Sequence, residues 1–237
     1  MRLDRFLSNS GKGSRKEIKQ TLKEGIVTVN GCVIKDPAYK VDEANDKICI
    51  GNLPIIYKPF VYLMLNKPAG YVSAVYDKKL PVVISLVPEE YSHYEVFPVG
   101  RLDIDTEGLL ILTNDGDLCH RVLSPKSHVD KTYFVRCEKA LTEQDAVSFK
   151  NGVTLDDGYK TMSAYLDIDR KNPSECLLTI QEGKFHQVKR MMEAVDNKVV
   201  YLKRVKMGSL SLDSTLPLGK IRELKDEEIC FLSQKTN

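Results

Sequence analysis

Nowhere along its 237 residues does this chain carry an apolar run of about 18 or more, the length a membrane-crossing helix needs. Nor does an apolar signal core follow Met1-Arg2-Leu3-Asp4-Arg5. The protein is therefore expected to stay in the cytoplasm, with no membrane partner. Its six cysteines, Cys32, Cys49, Cys119, Cys137, Cys176 and Cys230, include no Cys-x-x-Cys pair. That spacing argues against a structural zinc site, and a chain this long has little need of a disulfide framework. The cysteines read as reduced thiols, and no metal is expected. Internal repeats and low-complexity tracts are also lacking.

A large net charge is missing too: the formal value is only +2. Its distribution is more telling. From Met1 to Lys23, seven Lys and Arg face two Asp and Glu, a local excess of +5. From Lys184 to Lys206 the same seven-to-two balance recurs. Two basic segments in a nearly neutral chain predict a polyanion held at two places.

The first stretch reads as a small module of its own. Leu3, Phe6 and Leu7 lie at helical spacing. Ser14-Arg15-Lys16-Glu17 is a capping-box pattern. The helix it opens turns Ile18 and Leu22 inward and leaves Arg15, Lys16, Lys19 and Lys23 outside. Gly25 stops it. Val27 to Ile34 reads as two strands about an Asn30-Gly31 turn, and Lys47 to Ile50 as another strand. Gly51-Asn52-Leu53-Pro54 reads as a linker. The boundaries expected are a domain over 1–54 and a second over 60–237.

In the second domain, strands are predicted at Val61–Leu65, Leu109–Thr113, Thr132–Cys137, Leu177–Gln181, Val199–Lys206 and Ser209–Leu212. Helices are predicted at Glu143–Phe149 and, with a basic face, at Phe185–Val195. Many strands with few helices predict an α+β fold on a mixed, mainly antiparallel sheet.

The run from Gly100 to Gly116, GRLDIDTEGLLILTNDG, carries the chemistry. A polar loop with Arg101 and Asp103 leads into an apolar strand. A carboxylate at the loop end of a buried strand is held by rigid backbone. One beside a cation stays ionised, the state that a nucleophile or base requires. Asp105, Asp115 and Asp117 suggest a magnesium-holding cluster, as in a nuclease. The intervening strand argues against it, placing Asp115 roughly 20 Å from Asp103 if straight.

Gly100-Arg101-Leu102-Asp103 resembles the active-site motif of the RsuA-type ribosomal RNA pseudouridine synthases. Three further stretches match in order: Leu65 to Gly70, Lys131-Thr132-Tyr133, and Glu182 to Met191. The module from Met1 to Ile50, with Arg2-Leu3-Asp4 and Val27 to Gly31 as its most diagnostic words, resembles the alpha-L RNA-binding domain of a small-subunit ribosomal protein. The resemblance implies an isomerase that converts a uridine of ribosomal RNA to pseudouridine and needs no cofactor. It implies that Asp103 starts the reaction, by attack at C1′ or by taking the C2′ proton. Tyr133 would stack on the uracil, Lys189 would pair with Asp103, and Arg101 would contact the RNA near the space the base vacates. Arg2, Arg5, Arg15, Lys16, Lys19, Lys23 and Arg190 would grip phosphates, which position a protein without reading sequence.

The chain departs from the pattern at Glu107, where many relatives carry a small hydroxyl residue. His120 to Pro125 and the length look most like the small-subunit enzyme. A partly assembled ribosomal subunit is an alternative form of the substrate, and a monomer is the default. A non-catalytic RNA-binding assembly factor is the reading from another class. It predicts RNA binding that is indifferent to Asp103.

Overall fold

The computed structural model describes residues 1–124 and 127–233. Pro125, the last residue of the small-subunit-like stretch, lies outside them. By its backbone contacts the chain divides into two units. One holds Met1–Val61 and Val87–Val96; the other holds Tyr62–Leu86 and the chain from Phe97 onward.

In the first unit, α1 (Leu3–Asn9) buries Leu3, Phe6 and Leu7. Helix α2 (Arg15–Lys23) opens on the expected capping box: Ser14 accepts from the Glu17 amide while Glu17 accepts from Ser14. This satisfies two amides that a helix start leaves orphaned. Ile18 and Leu22 are buried. Gly25, at φ +74°, ends the helix as expected. Strands β1 (Val27–Val29) and β2 (Cys32–Val33) pair antiparallel about Asn30 and Gly31, both at positive φ. That is the backbone a two-residue hairpin turn demands. Strand β3 (Ile48–Ile50) pairs with β1. The linker reading of Gly51 to Pro54 is corrected. Gly51 and Asn52 form a turn, and β4 (Leu53–Pro54) pairs back onto β3. Proline is tolerated because β4 is an edge strand.

The second unit is built on a mixed sheet. Its strands are β5 (Tyr62–Lys67), β6 (Phe97–Val99), β7 (Glu107–Thr113), β8 (Lys131–Cys137), β9 (Tyr165–Ile168), β10 (Glu175–Ile180), β11 (Val199–Met207), β12 (Leu210–Ser211) and β13 (Ile221–Glu223). The order is β13-β5-β7-β11-β8-β10-β9, with β12 on β11 and β6 on β7. Among the strand pairs of the described residues, only β7 and β11 run parallel. The fold is α+β, mixed and mainly antiparallel. Strands β5 and β7 are buried almost throughout, the pattern of strands covered on both faces.

Helices α3 (Gly116–Leu123), α4 (Glu143–Asn151), α5 (Gln187–Glu193) and α6 (Asp226–Ser233) complete it. Asn114-Asp115-Gly116 does stop β7, but it also starts α3. Asp115 caps that helix, accepting from the Leu118 amide, and its other oxygen accepts from the Tyr62 hydroxyl at 2.8 Å. Burial, then this bond, pushes the Tyr62 phenol up to about 12. Helix α5 is shorter than expected because His186 takes φ +48°, outside the helical region. Val188, Met191 and Met192 are buried on its inner face.

Register puts five residues in one row across the sheet. Lys67 pairs with Gly108, Gly108 with Arg204, Arg204 with Tyr133, and Tyr133 with Leu178. Directly paired residues share a face. Gly108 matters most in this row. Its φ is +99°, and an added Cβ would collide with the Arg204 carbonyl. The parallel pair β7–β11 closes only because this position has no side chain.

Candidate active site

The loop between β6 and β7 carries Arg101, Asp103 and Asp105, and it is tied down along its length. Ser73 Oγ accepts from the Leu102 amide and donates to the Leu102 carbonyl, both at 3.0 Å. The Gly70 amide donates to the Ile104 carbonyl at 2.7 Å. The Lys67 ammonium sits beneath, fully buried. It donates to the carbonyls of Thr106 (2.8 Å), Asp103 (3.1 Å), Pro68 (3.1 Å) and Ile104 (3.3 Å). A buried amine costs free energy unless its donors are all used, and here carbonyls use them. Burial pushes the Lys67 amine down to about 8, against the pull of Asp105, Asp103 and Glu107.

Above this base, the Asp103 carboxylate is half-buried and faces His186 and Lys189. His186 Nε2 lies 3.8 Å from one oxygen and Lys189 Nζ 3.8 Å from the other. Lys189, expected opposite Asp103, makes its short bonds to Asp105 instead, at 2.6 and 2.7 Å. Partial burial pushes the Asp105 carboxyl up, but these bonds and the Lys189 charge outweigh it and hold it below its usual range. The ammonium thus spans two carboxylates on one loop.

Tyr133 is 8% exposed and lies beside Arg204 in the row described above. Arg204 is itself buried. Its Nε donates to the Leu109 carbonyl at 2.8 Å, and its Nη2 has no hydrogen-bond partner among the described residues. The Lys131 amine is lowered by burial and then by Arg204. Arg101 is exposed two residues before Asp103.

Arg190, expected against RNA, is committed elsewhere: its guanidinium pairs with Asp156 and, at 2.6 Å, with Asp157. Glu107, the departure from the family pattern, accepts from the Tyr201 hydroxyl at 2.6 Å. It is therefore tied to β11. In the other unit, Arg2, Arg5, Arg15, Lys16, Lys19 and Lys23 are all exposed, and Arg2 is paired with Asp4.

Sequence reasoning passed over Lys67, Ser73, Asp105 as a partner of Lys189, and Arg204. Only Lys67 left a signal, as a lysine ending an apolar strand. Lysine is almost never fully buried without partners.

Known proteins resemble this chain along nearly its whole length. Residues 61–194 match the RNA pseudouridylate synthase family, and residues 1–48 match the S4 domain. An uncharacterized RNA pseudouridine synthase of Bacillus subtilis, YtzG, is 47% identical over 99% of both chains. The ribosomal small subunit pseudouridine synthase A of Yersinia pestis is 41% identical over 97% of both. A crystal structure of a pseudouridylate synthase superposes with a TM-score of 0.69 at 33% identity, covering 98% of this chain and 99% of the other. Matched over nearly its whole length, this chain belongs to the RNA pseudouridylate synthase family and carries an S4 domain at its N-terminal end.

Proposed function

We propose that this chain converts one uridine of small-subunit ribosomal RNA to pseudouridine, and that Asp103 initiates the reaction. The setting of Asp103 carries the reading. Its backbone is anchored by Lys67 and Ser73, and its carboxylate lies 3.8 Å from both Lys189 and His186. A preorganised charge of this kind loses little to reorganisation when the substrate reacts. The name of the Yersinia pestis relative supports the substrate class.

The reaction is an isomerisation with no cofactor. The bond from C1′ to N1 breaks, the uracil turns, and a bond from C1′ to C5 forms. C5 gives up a proton and N1 gains one. A stacked base cannot do this, so the uridine is flipped out first. Tyr133 stacks on the uracil, Lys189 pairs with Asp103 across 3.8 Å, and Arg101 contacts RNA near the vacated space. Residues 60–237 form the catalytic domain. Residues 1–54 form the RNA-binding domain, with Arg2, Arg5, Arg15, Lys16, Lys19 and Lys23 on phosphates. Arg190, already paired, is left out of those contacts. The protein works as a cytoplasmic monomer on the RNA or a partly assembled subunit.

The test is pseudouridine mapping of ribosomal RNA, by carbodiimide modification and primer extension, from cells with and without this gene. One stop lost from small-subunit RNA, restored by wild type but not by Asp103→Asn, is expected. A loss in large-subunit RNA would move the substrate. RNA binding with no loss anywhere would make the protein a non-catalytic binder.

A further inference from the structure

Phe185 leaves most of a large apolar ring in water, at 76% exposure. Such exposure is unfavourable, yet the ring is not loose. It stacks on His186 with centroids 3.8 Å apart and planes 18° from parallel. The segment presenting it is braced from behind. The Glu182 carboxylate accepts from the Tyr159 hydroxyl and Gln187 Nε2, both at 2.6 Å, and from the Met162 amide at 2.9 Å. Gln187 Oε1 in turn accepts from the Lys184 amide at 2.7 Å. His186 is held in the left-handed region at φ +48°, a conformation that persists only where its surroundings impose it. The result is a rigid pair of rings whose inner member reaches within 3.8 Å of Asp103.

We propose that the Phe185 ring, backed by His186, is a stacking platform for an unpaired RNA base that neighbours the uridine entering the Asp103 site. The proposal rests on the reading of that site as one that takes a uridine. Two observations favour a base over an apolar protein segment. The free surface is a single flat ring, the size of one base. It also adjoins Lys184, an exposed residue whose amine lies 4.6 Å over the Tyr159 ring, a cation suited to the phosphate beside a stacked nucleotide. Base stacking on an aromatic ring is tolerant of sequence, so this contact would hold the strand while other contacts choose the uridine.

The experiment uses the full chain and short random-sequence oligoribonucleotides carrying 5-iodouridine, which photocrosslinks to aromatic rings it stacks on. Crosslinked peptides are identified by mass spectrometry. The expected crosslink is at Phe185 or His186. Phe185→Trp should keep it, and Phe185→Ala should lower its yield about ten-fold. In turnover of small-subunit RNA, Phe185→Ala should raise KM more than it lowers kcat, with Phe185→Trp restoring both. Unchanged thermal unfolding of the two variants would exclude a folding effect, since the ring is exposed. Crosslinks that map elsewhere, or an equal yield from Phe185→Ala, would overturn the platform. The Asp103→Asn variant separates the two readings. If it still turns over, the role given to Asp103 fails while crosslinking judges the platform alone. If it is inactive and no crosslink reaches Phe185, only the platform fails.

Discussion

Lys189 lies 2.6 and 2.7 Å from the two oxygens of Asp105 and 3.8 Å from the nearer oxygen of Asp103. One ammonium therefore serves two carboxylates that are two residues apart on a clamped loop. Removing the cation takes the shared ammonium from both carboxylates. Lys189→Ala is expected to lower the single-turnover rate by about a hundred-fold or more, the scale for losing one preorganised charge partner. Asp105→Asn keeps the shape and leaves Lys189 to Asp103, so its loss should stay below about ten-fold. Equal losses in the two variants would refute this division of roles.

Gly108 is where β7 and β11 approach in parallel, and a side chain there meets the Arg204 backbone. Gly108→Ala also forces alanine to a φ of +99°. Both effects act on the row that holds Lys67, Arg204 and Tyr133. A loss of about 2 kcal/mol or more is expected, seen as a melting temperature lower by roughly 5 °C or more. Gly116→Ala is the control, because nothing lies within 4 Å of a Cβ there.

Lys67 couples the loop to pH. Burial lowers its amine from 10.5 to about 8 in the folded protein. Between those pH values the unfolded chain holds a proton that the folded chain has released. The stability contributed by this site therefore rises with pH across that window and is flat below it. Activity should move the other way. A neutral amine has fewer N–H donors for the four carbonyls it serves, so the Asp103 loop loosens. The rate is expected to fall as pH passes about 8. Over the same range, denaturant melts should show wild type gaining stability relative to Lys67→Met. A constant difference between the two proteins would mean that Lys67 does not titrate there.

The salt dependence of RNA binding separates free cations from committed ones. Each lost phosphate contact lowers the slope of log affinity against log salt by about one. Lys16→Ala and Lys19→Ala, both on the exposed side of α2, should each do so. Arg190→Ala should leave the slope unchanged and lower the melting temperature slightly, because its guanidinium is held by Asp156 and Asp157. A slope reduced by Arg190→Ala would return that residue to the RNA contacts.

Local chemistry made much of this protein legible before folding. A capping box needs only Ser14 and Glu17 three residues on, and a tight hairpin needs only Asn30 and Gly31. The order of motifs from Leu65 to Met191 placed Asp103 at the head of a buried strand, and β7 does begin four residues later. Helix α3 was missed because Asn114-Asp115-Gly116 is chemically a turn as well as a helix start, and only packing against its neighbours decides between them. The short edge strands β9 and β13 are defined by their pairing with β10 and β5, which no local pattern announces.

The site itself was decided at longer range. Lys67 reaches carbonyls as far as 39 residues ahead, and Lys189 crosses 84 residues to choose Asp105 over Asp103. Those choices turn on distances of about an ångström and on where strand register sets each side chain. The amino-acid sequence by itself determined which residue types are present, their local turns and caps, and the order of the motifs, because these depend on neighbours along the chain. The tertiary structure alone decided which amine is buried, which carboxylate holds Lys189 and which arginine is already paired, because those depend on neighbours in space.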